Sequence, residues 1–151
     1  MGNVPLQNRE DIRPQIEQAV ADFCRAIGYP SDRISSKGPH YRYDYADDPE
    51  KSEVQFPHAE EPGCYVFAND SGEILYVGKG SRYMGSRIWA PFGRQGKDGE
   101  VQAFPDAKPW VMEHRPGVWA IAVPKEHWWL AAAFEGFLIE RFKPPENRRQ
   151  R

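Results

Sequence analysis

The sequence predicts an α+β domain: a small, mainly antiparallel three-stranded sheet packed by helices, with an extra helix on its N-terminal side. Three observations predict it. Gly63–Ala68 and Glu73–Gly78 are short aromatic and β-branched runs joined by the turn signal Asn69-Asp70-Ser71-Gly72, which together read as a β-hairpin. Val118–Val123 is a continuous apolar run of strand length. Residues 8–28 and 125–142 carry apolar side chains at helical spacing. The order β-β-α-β-α from residue 63 onward is that of strands and helices sharing one core.

In chain order, Ile12, Ile16, Ala19, Val20, Phe23 and Ile27 follow the 3.6-residue period. Pro14 marks where the regular helix begins, and Gly28 and Pro30 stop it. Residues 29–62 read as an irregular, charged arm with one short alternating stretch, His40-Tyr41-Arg42-Tyr43-Asp44-Tyr45, of strand character. This divides the chain into an N-terminal helix plus arm over residues 1–60 and a second unit over residues 61–151. Beyond the hairpin a short helix is expected around Ser81 to Trp89, stopped by Pro91. Residues 92–109 are loop-like, and Trp110 to His114 fits a strand or a helix edge. The last long helix, residues 125–142, ends at Pro144-Pro145.

Composition bounds the function classes. The chain has 151 residues, 40% of them hydrophobic, enough for one real core. No apolar run approaches the roughly 20 residues of a membrane span. Met1–Glu10 holds no apolar signal-peptide segment, so a cytoplasmic location is the expectation, with export by a non-classical route left open. Cys24 and Cys64 are too few for a disulfide framework and form no CxxC, and His40, His58, His114 and His127 have no zinc spacing. Both cysteines are expected to be reduced packing residues. The net charge is −2, but unevenly placed: residues 1–60 hold 7 Lys/Arg against 11 Asp/Glu, and residues 61–151 hold 13 against 11. Polyanion binding is therefore confined to the second part, whose tail (Arg141, Lys143, Arg148, Arg149, Arg151) is basic.

Candidate chemistry lies in a few polar residues set among apolar ones. Glu135 shares a helical face with Trp128, Ala131, Ile139 and Phe142. A carboxylate on such a face needs a countercharge, either an arginine or a metal. Tyr65 and Tyr76 stand on the two strands of the hairpin, either as a packing pair or as a paired phenol site. Gly78-Lys79-Gly80-Ser81 is not a nucleotide P-loop: five residues separate Gly72 from Gly78, and glycine follows the lysine. Arg82 and Arg87 fall on the helix after it, where a solvated charge is the ordinary role.

Taken together, Gly63-Cys64-Tyr65, Tyr76-Val77-Gly78-Lys79, Arg87, Glu135 and Asn147 resemble the GIY-YIG nuclease superfamily. Its glutamate-Leu-Ile-Pro-Asn trail has a counterpart in Glu135, Leu138, Ile139, Pro144 and Asn147. The resemblance spans about 85 residues, 63 to 147. Cys64 and Val77 replace the usual isoleucines. The helix arginine stands one residue later than in many members, so Arg82 competes with Arg87 for its role. Tyr83 and His114 are the candidates for an accessory histidine or tyrosine. The leader of about 60 residues has no counterpart.

The resemblance implies a divalent-metal-dependent endonuclease that hydrolyses phosphodiester bonds in DNA and nicks one strand per active site. Glu135 would be the protein carboxylate holding one Mg²⁺ or Mn²⁺. Arg87 would clamp the scissile phosphate. Tyr65 would act as general base or orient the attacking water, and a phenol of pKa about 10 would need a cation such as Lys79 to lower it. Tyr76 would line the site. Lys79, Arg82 and Asn147 complete the substrate-binding set, Asn147 by tying the tail back beneath the site. The alternative is a non-catalytic module of the same fold that grips nucleic acid, with Trp89, Trp110, Trp119, Trp128 and Trp129 divided between core packing, the expected role of most, and base stacking. The N-terminal arm could in addition bind a protein partner or a second copy of the chain.

Overall fold

The structure, a computed structural model, describes residues 11–40, 58–92 and 107–149. Its elements, in order, are α1 (Arg13–Ile27), β1 (Ser35–His40), β2 (Gly63–Ala68), β3 (Ile74–Gly80), α2 (Gly85–Trp89), α3 (Pro109–His114), β4 (Gly117–Ala122), α4 (Leu130–Phe142) and α5 (Pro145–Arg149), with single 3-10 turns between some of them. The fold is α+β with a four-stranded antiparallel sheet in the order β1-β4-β2-β3. Among the described residues no helix is long and apolar enough to cross a membrane.

The extra strand corrects the three-stranded expectation. Ser35-Ser36-Lys37-Gly38-Pro39-His40 has no β-branched or aromatic residue, so its sequence carries no strand signal. It is a strand because the outer edge of β4 offers unpaired backbone groups, and Ser35 lies opposite Ala122 and Lys37 opposite Ala120. The alternating stretch read as a strand starts at His40, where β1 ends; Tyr41 to Tyr45 lie outside the described residues. So do 93–106, most of the predicted loop.

Local chemistry explains the other boundaries. Pro14 sits in the first turn of α1, and Gly28 closes the helix in the left-handed conformation, its N–H reaching the Arg25 carbonyl. Pro109 opens α3, which settles Trp110 to His114 as helix. The expected helix over residues 125–142 is interrupted: Lys125–His127 form a 3-10 turn after Pro124, and the α-helix begins at Leu130. At its far end Lys143 turns left-handed, and Pro145 starts α5.

The sheet is covered on both faces. On one, Cys64, Val66, Val77, Trp119 and Ile121 pack against Ile16, Val20 and Phe23 of α1 and against Leu130, Phe134 and Leu138 of α4. The Phe23 and Phe134 rings lie 4.5 Å apart, and Arg141 pairs with Asp22 at 2.7 Å, joining the two helices. Residues 13–27 and 35–40 thus share one core and one sheet with the second part of the chain. On the other face Tyr65, Phe67, Val118 and Ala120 pack against Met84, Ile88, Phe92, Trp110 and Val111. Both cysteines are buried and free, and Cys64 donates to the Ala131 carbonyl at 3.3 Å, filling the space of an aliphatic side chain.

β1 and β3 are the edge strands of the sheet, and the outer side of β3 faces α5. Asn147 closes part of that side: its Oδ1 accepts from the Val77 N–H at 2.8 Å, and its Nδ2 donates to the Val77 carbonyl at 2.9 Å. The side-chain amide thus substitutes for one residue of a missing neighbouring strand. Asn147→Ala is expected to lower unfolding free energy by about 1–3 kcal/mol, because both Val77 groups lose their partner. Urea denaturation measures this, and an unchanged midpoint would refute it.

Candidate active site

The hairpin register places the phenols. Tyr65 lies opposite Gly78 and Phe67 opposite Tyr76, so Tyr65 and Tyr76 are diagonal neighbours on one sheet face. Their ring centroids are 6.4 Å apart. Phe67 stands 5.9 Å from each, and Trp110 backs Tyr76 at 5.7 Å. Tyr65 is 5% exposed, while Tyr76 is half-buried.

The two motif glycines have steric reasons. A Cβ on Gly78 would lie 2.4 Å from the Tyr65 ring, and one on Gly63 would lie 2.0 Å from the Ile121 carbonyl oxygen. Only glycine lets the Tyr65 ring lie flat over β3 and β2 approach β4 this closely.

The cations come from the segment after β3. Lys79, Ser81, Arg82, Tyr83 and Arg87 line a cleft of about 230 Å³ together with Gly80. Two backbone hydrogen bonds set the start of α2, and with it Arg87: Met84 N–H donates to the Glu61 carbonyl at 2.9 Å and Gly85 N–H to the Ala59 carbonyl at 2.8 Å. That turn is itself tethered, since His58 pairs with Glu61 through Nδ1 at 3.2 Å and meets Ser35 Oγ through Nε2 at 3.2 Å. The helix begins at Gly85 rather than near Ser81, so Ser81–Met84 can wrap the cleft as bends.

Glu135 flanks the buried stripe of α4 formed by Leu130, Ala131, Phe134 and Leu138. The opposite side of α4 is open to solvent: Ala132, Ala133 and Gly136 are exposed. The carboxylate is half-buried and forms no ion pair among the described residues, so the arginine salt bridge weighed from the sequence is not found there.

These groups feel one another. Burial pushes the Tyr65 phenol up, Tyr76 and Glu135 push it the same way, and Arg87 opposes them. Burial and Glu135 raise Tyr76, again against Arg87. Burial raises Glu135, opposed by Lys79. Arg87 opposes the rise at both phenols, and burial holds Tyr65 protonated rather than activated as a phenolate. Arg82 lines the same cleft as Arg87. Tyr83 is on the cleft rim, 55% exposed. His114 lies at the end of α3 beside Glu113 and is not among the residues lining this cleft. Asn147 has both ends of its amide on Val77.

The tryptophans divide. Trp110 and Trp119 are buried, whereas Trp128 and Trp129 are 52% and 54% exposed, which the expectation of mostly core residues missed. Among the described residues no three His, Cys, Asp or Glu side chains cluster as a metal site. The chain matches no protein-family model and no curated protein.

Two outcomes test this arrangement. Gly78→Ala is expected to dislodge the Tyr65 ring at a cost of about 1–3 kcal/mol, seen as a lower denaturant midpoint and a changed tyrosine environment in near-UV dichroism. Glu135→Gln should raise the melting temperature in EDTA. The folded state binds the Glu135 proton more tightly than the unfolded chain does. Wild-type stability therefore falls as pH rises through the raised folded value, while the amide is indifferent. The variant's advantage should be largest near pH 8 and vanish near pH 4; an advantage independent of pH would contradict the assignment.

Proposed function

We propose that this chain is a GIY-YIG-type endonuclease that hydrolyses a DNA phosphodiester with the help of one divalent cation, cutting one strand per site. The observation that carries the reading is that Tyr65 and Tyr76 share one sheet face, with ring centroids 6.4 Å apart, on the hairpin whose outgoing end leads into a cleft lined by Lys79, Arg82 and Arg87. A diester phosphate needs charge neutralisation, an oriented water and a stabilised leaving oxygen. The residues present suit those tasks.

Arg87 offers a planar fork to two phosphate oxygens, and Lys79 adds a second positive charge. Tyr65 is neutral and fixed by its aromatic neighbours, so it orients a water by hydrogen bonding and need not ionise. Tyr76, less buried, can reach the same water or a phosphate oxygen. Glu135 fits a hard cation: it is a half-buried carboxylate without an ion pair among the described residues, and Mg²⁺ or Mn²⁺ often takes only one or two protein carboxylates, with water and phosphate oxygens filling the rest. When bound, the cation supplies Lewis acidity and makes its water more acidic. Because Glu135 must be ionised to hold it, cleavage should increase with pH through the raised Glu135 value.

Supercoiled plasmid nicking with Mg²⁺ tests the reading. Wild type is expected to convert supercoiled to open-circular DNA. Glu135→Ala should abolish this. Arg87→Lys, which keeps charge but loses the fork, should slow it by about 100-fold, the scale of one lost transition-state donor. Binding without nicking in either Mg²⁺ or Mn²⁺ would overturn the enzyme reading in favour of a nucleic-acid-binding module; nicking retained in Glu135→Ala would overturn the metal assignment.

A further inference from the structure

The cation-lined cleft continues outward. A second cleft, of about 320 Å³, is lined by Pro62, Ser81, Arg82, Lys125 and Trp128, and shares Ser81 and Arg82 with the first. The continuous track therefore presents Arg87, Lys79, Arg82 and Lys125, with no acidic side chain among its described lining residues. At its outer end stands the Trp128 ring, half exposed.

That exposure is not looseness of the segment. His127, the preceding residue, is held by the Tyr29 hydroxyl at Nδ1, 2.7 Å away, and Glu126 pairs with Arg33. Both ties reach back to the chain around the end of α1, so the turn carrying Trp128 is fixed while its indole projects. A large aromatic surface left in water beside two cationic side chains is unfavourable for folding alone and suits a flat, anionic ligand.

We propose that Arg82, Lys125 and Trp128 form a subsite for unpaired nucleotides next to the scissile phosphate, with Arg82 and Lys125 on backbone phosphates and the indole stacked on a base. The position relative to the scissile phosphate rests on the nuclease reading; the binding itself does not. A base can lie on an indole only when it is out of its own duplex stack. The subsite therefore selects single-stranded or flapped substrate over continuous duplex. Every base has a π face, so the selection is by strandedness and not by sequence.

The test is fluorescence anisotropy in EDTA with a short labelled single-stranded DNA and the same sequence as a blunt duplex. Wild type should bind the single strand more tightly. Trp128→Ala should weaken single-strand binding by roughly tenfold, the scale of one lost base stack, and leave duplex binding unchanged. Trp128→Phe should restore most of the loss, and Lys125→Gln should reduce the salt dependence by about one phosphate contact. Trp128 lies outside the core, so these variants report on binding and not on folding. Single-strand affinity unchanged in Trp128→Ala overturns the subsite, and is the result expected if this face instead takes a protein or a second copy. Trp128-dependent single-strand binding by a protein that never nicks sustains the subsite and defeats the nuclease reading; nicking with Trp128-independent binding does the reverse.

Discussion

The ring of Tyr65 occupies the space that a side chain at position 78 would need, and much of the candidate site follows from that contact. A ring lying over a neighbouring strand fixes the β2–β3 register, because a slip of one residue would bring Val77 or Lys79 beneath it and turn the phenol to the opposite face. With the register fixed, Tyr76 falls on the same face as Tyr65, and Lys79 falls at the end of β3, where the chain bends toward Arg82 and Arg87. The Asn147 amide then holds the outer side of Val77, one residue from Gly78. This edge strand of the sheet is thus pinned from within by an aromatic ring and from without by an amide.

The two faces of the sheet divide the labour. The face against α1 and α4 is wholly apolar at its centre and supplies much of the burial that stabilises a domain of this size. The opposite face is aromatic and carries the phenols at its margin. Glu135 belongs to α4 on the first face, where burial raises its proton affinity and Lys79 of β3 opposes the rise. A carboxylate there lowers stability relative to an amide and adds no ion pair among the described residues. Such a position is hard to explain as scaffolding, and a bound cation would offset its cost. Cys64 illustrates the contrast: it is fully buried, burial drives its thiol well up, and it behaves as an apolar filler.

The parts legible in the sequence are those set by short-range chemistry. The hairpin followed from its turn residues and apolar runs, and α1 from its period and its Gly28 stop. The pairing of Tyr65 with Tyr76 needed only the sequence distance between them and a two-stranded turn. The sequence was silent where tertiary contacts overrule local preference. Nothing in Ser35–His40 marks a strand; β4 creates it by pairing. Apolar spacing alone cannot separate a face against the sheet from one in water, so it did not show that Trp128 and Trp129, just before α4, are half exposed. The direction of the Tyr65 shift was equally hidden, because it is set by burial among residues far apart in sequence, and Arg87 rather than Lys79 proves to be the opposing cation.

A neutral, buried phenol places a constraint on the chemistry. If Tyr65 cannot readily ionise, it cannot be the strong base that draws a proton from water near neutral pH. Its contribution must be geometric: a donor and acceptor held at one angle by Phe67, Gly78 and Tyr76. In the proposed reaction the acidification of water would then fall to a cation held by Glu135, and charge neutralisation to Arg87. The aromatic packing around Tyr65 and the half-buried carboxylate of Glu135 would then be complementary, since a rigid water-orienting group is useful only where something else supplies the driving force for deprotonation. The outer cleft extends the same logic to the substrate. Lys79 and Arg87 can neutralise a phosphate in any strand, but only a projecting indole distinguishes a strand whose bases are free to leave their stack.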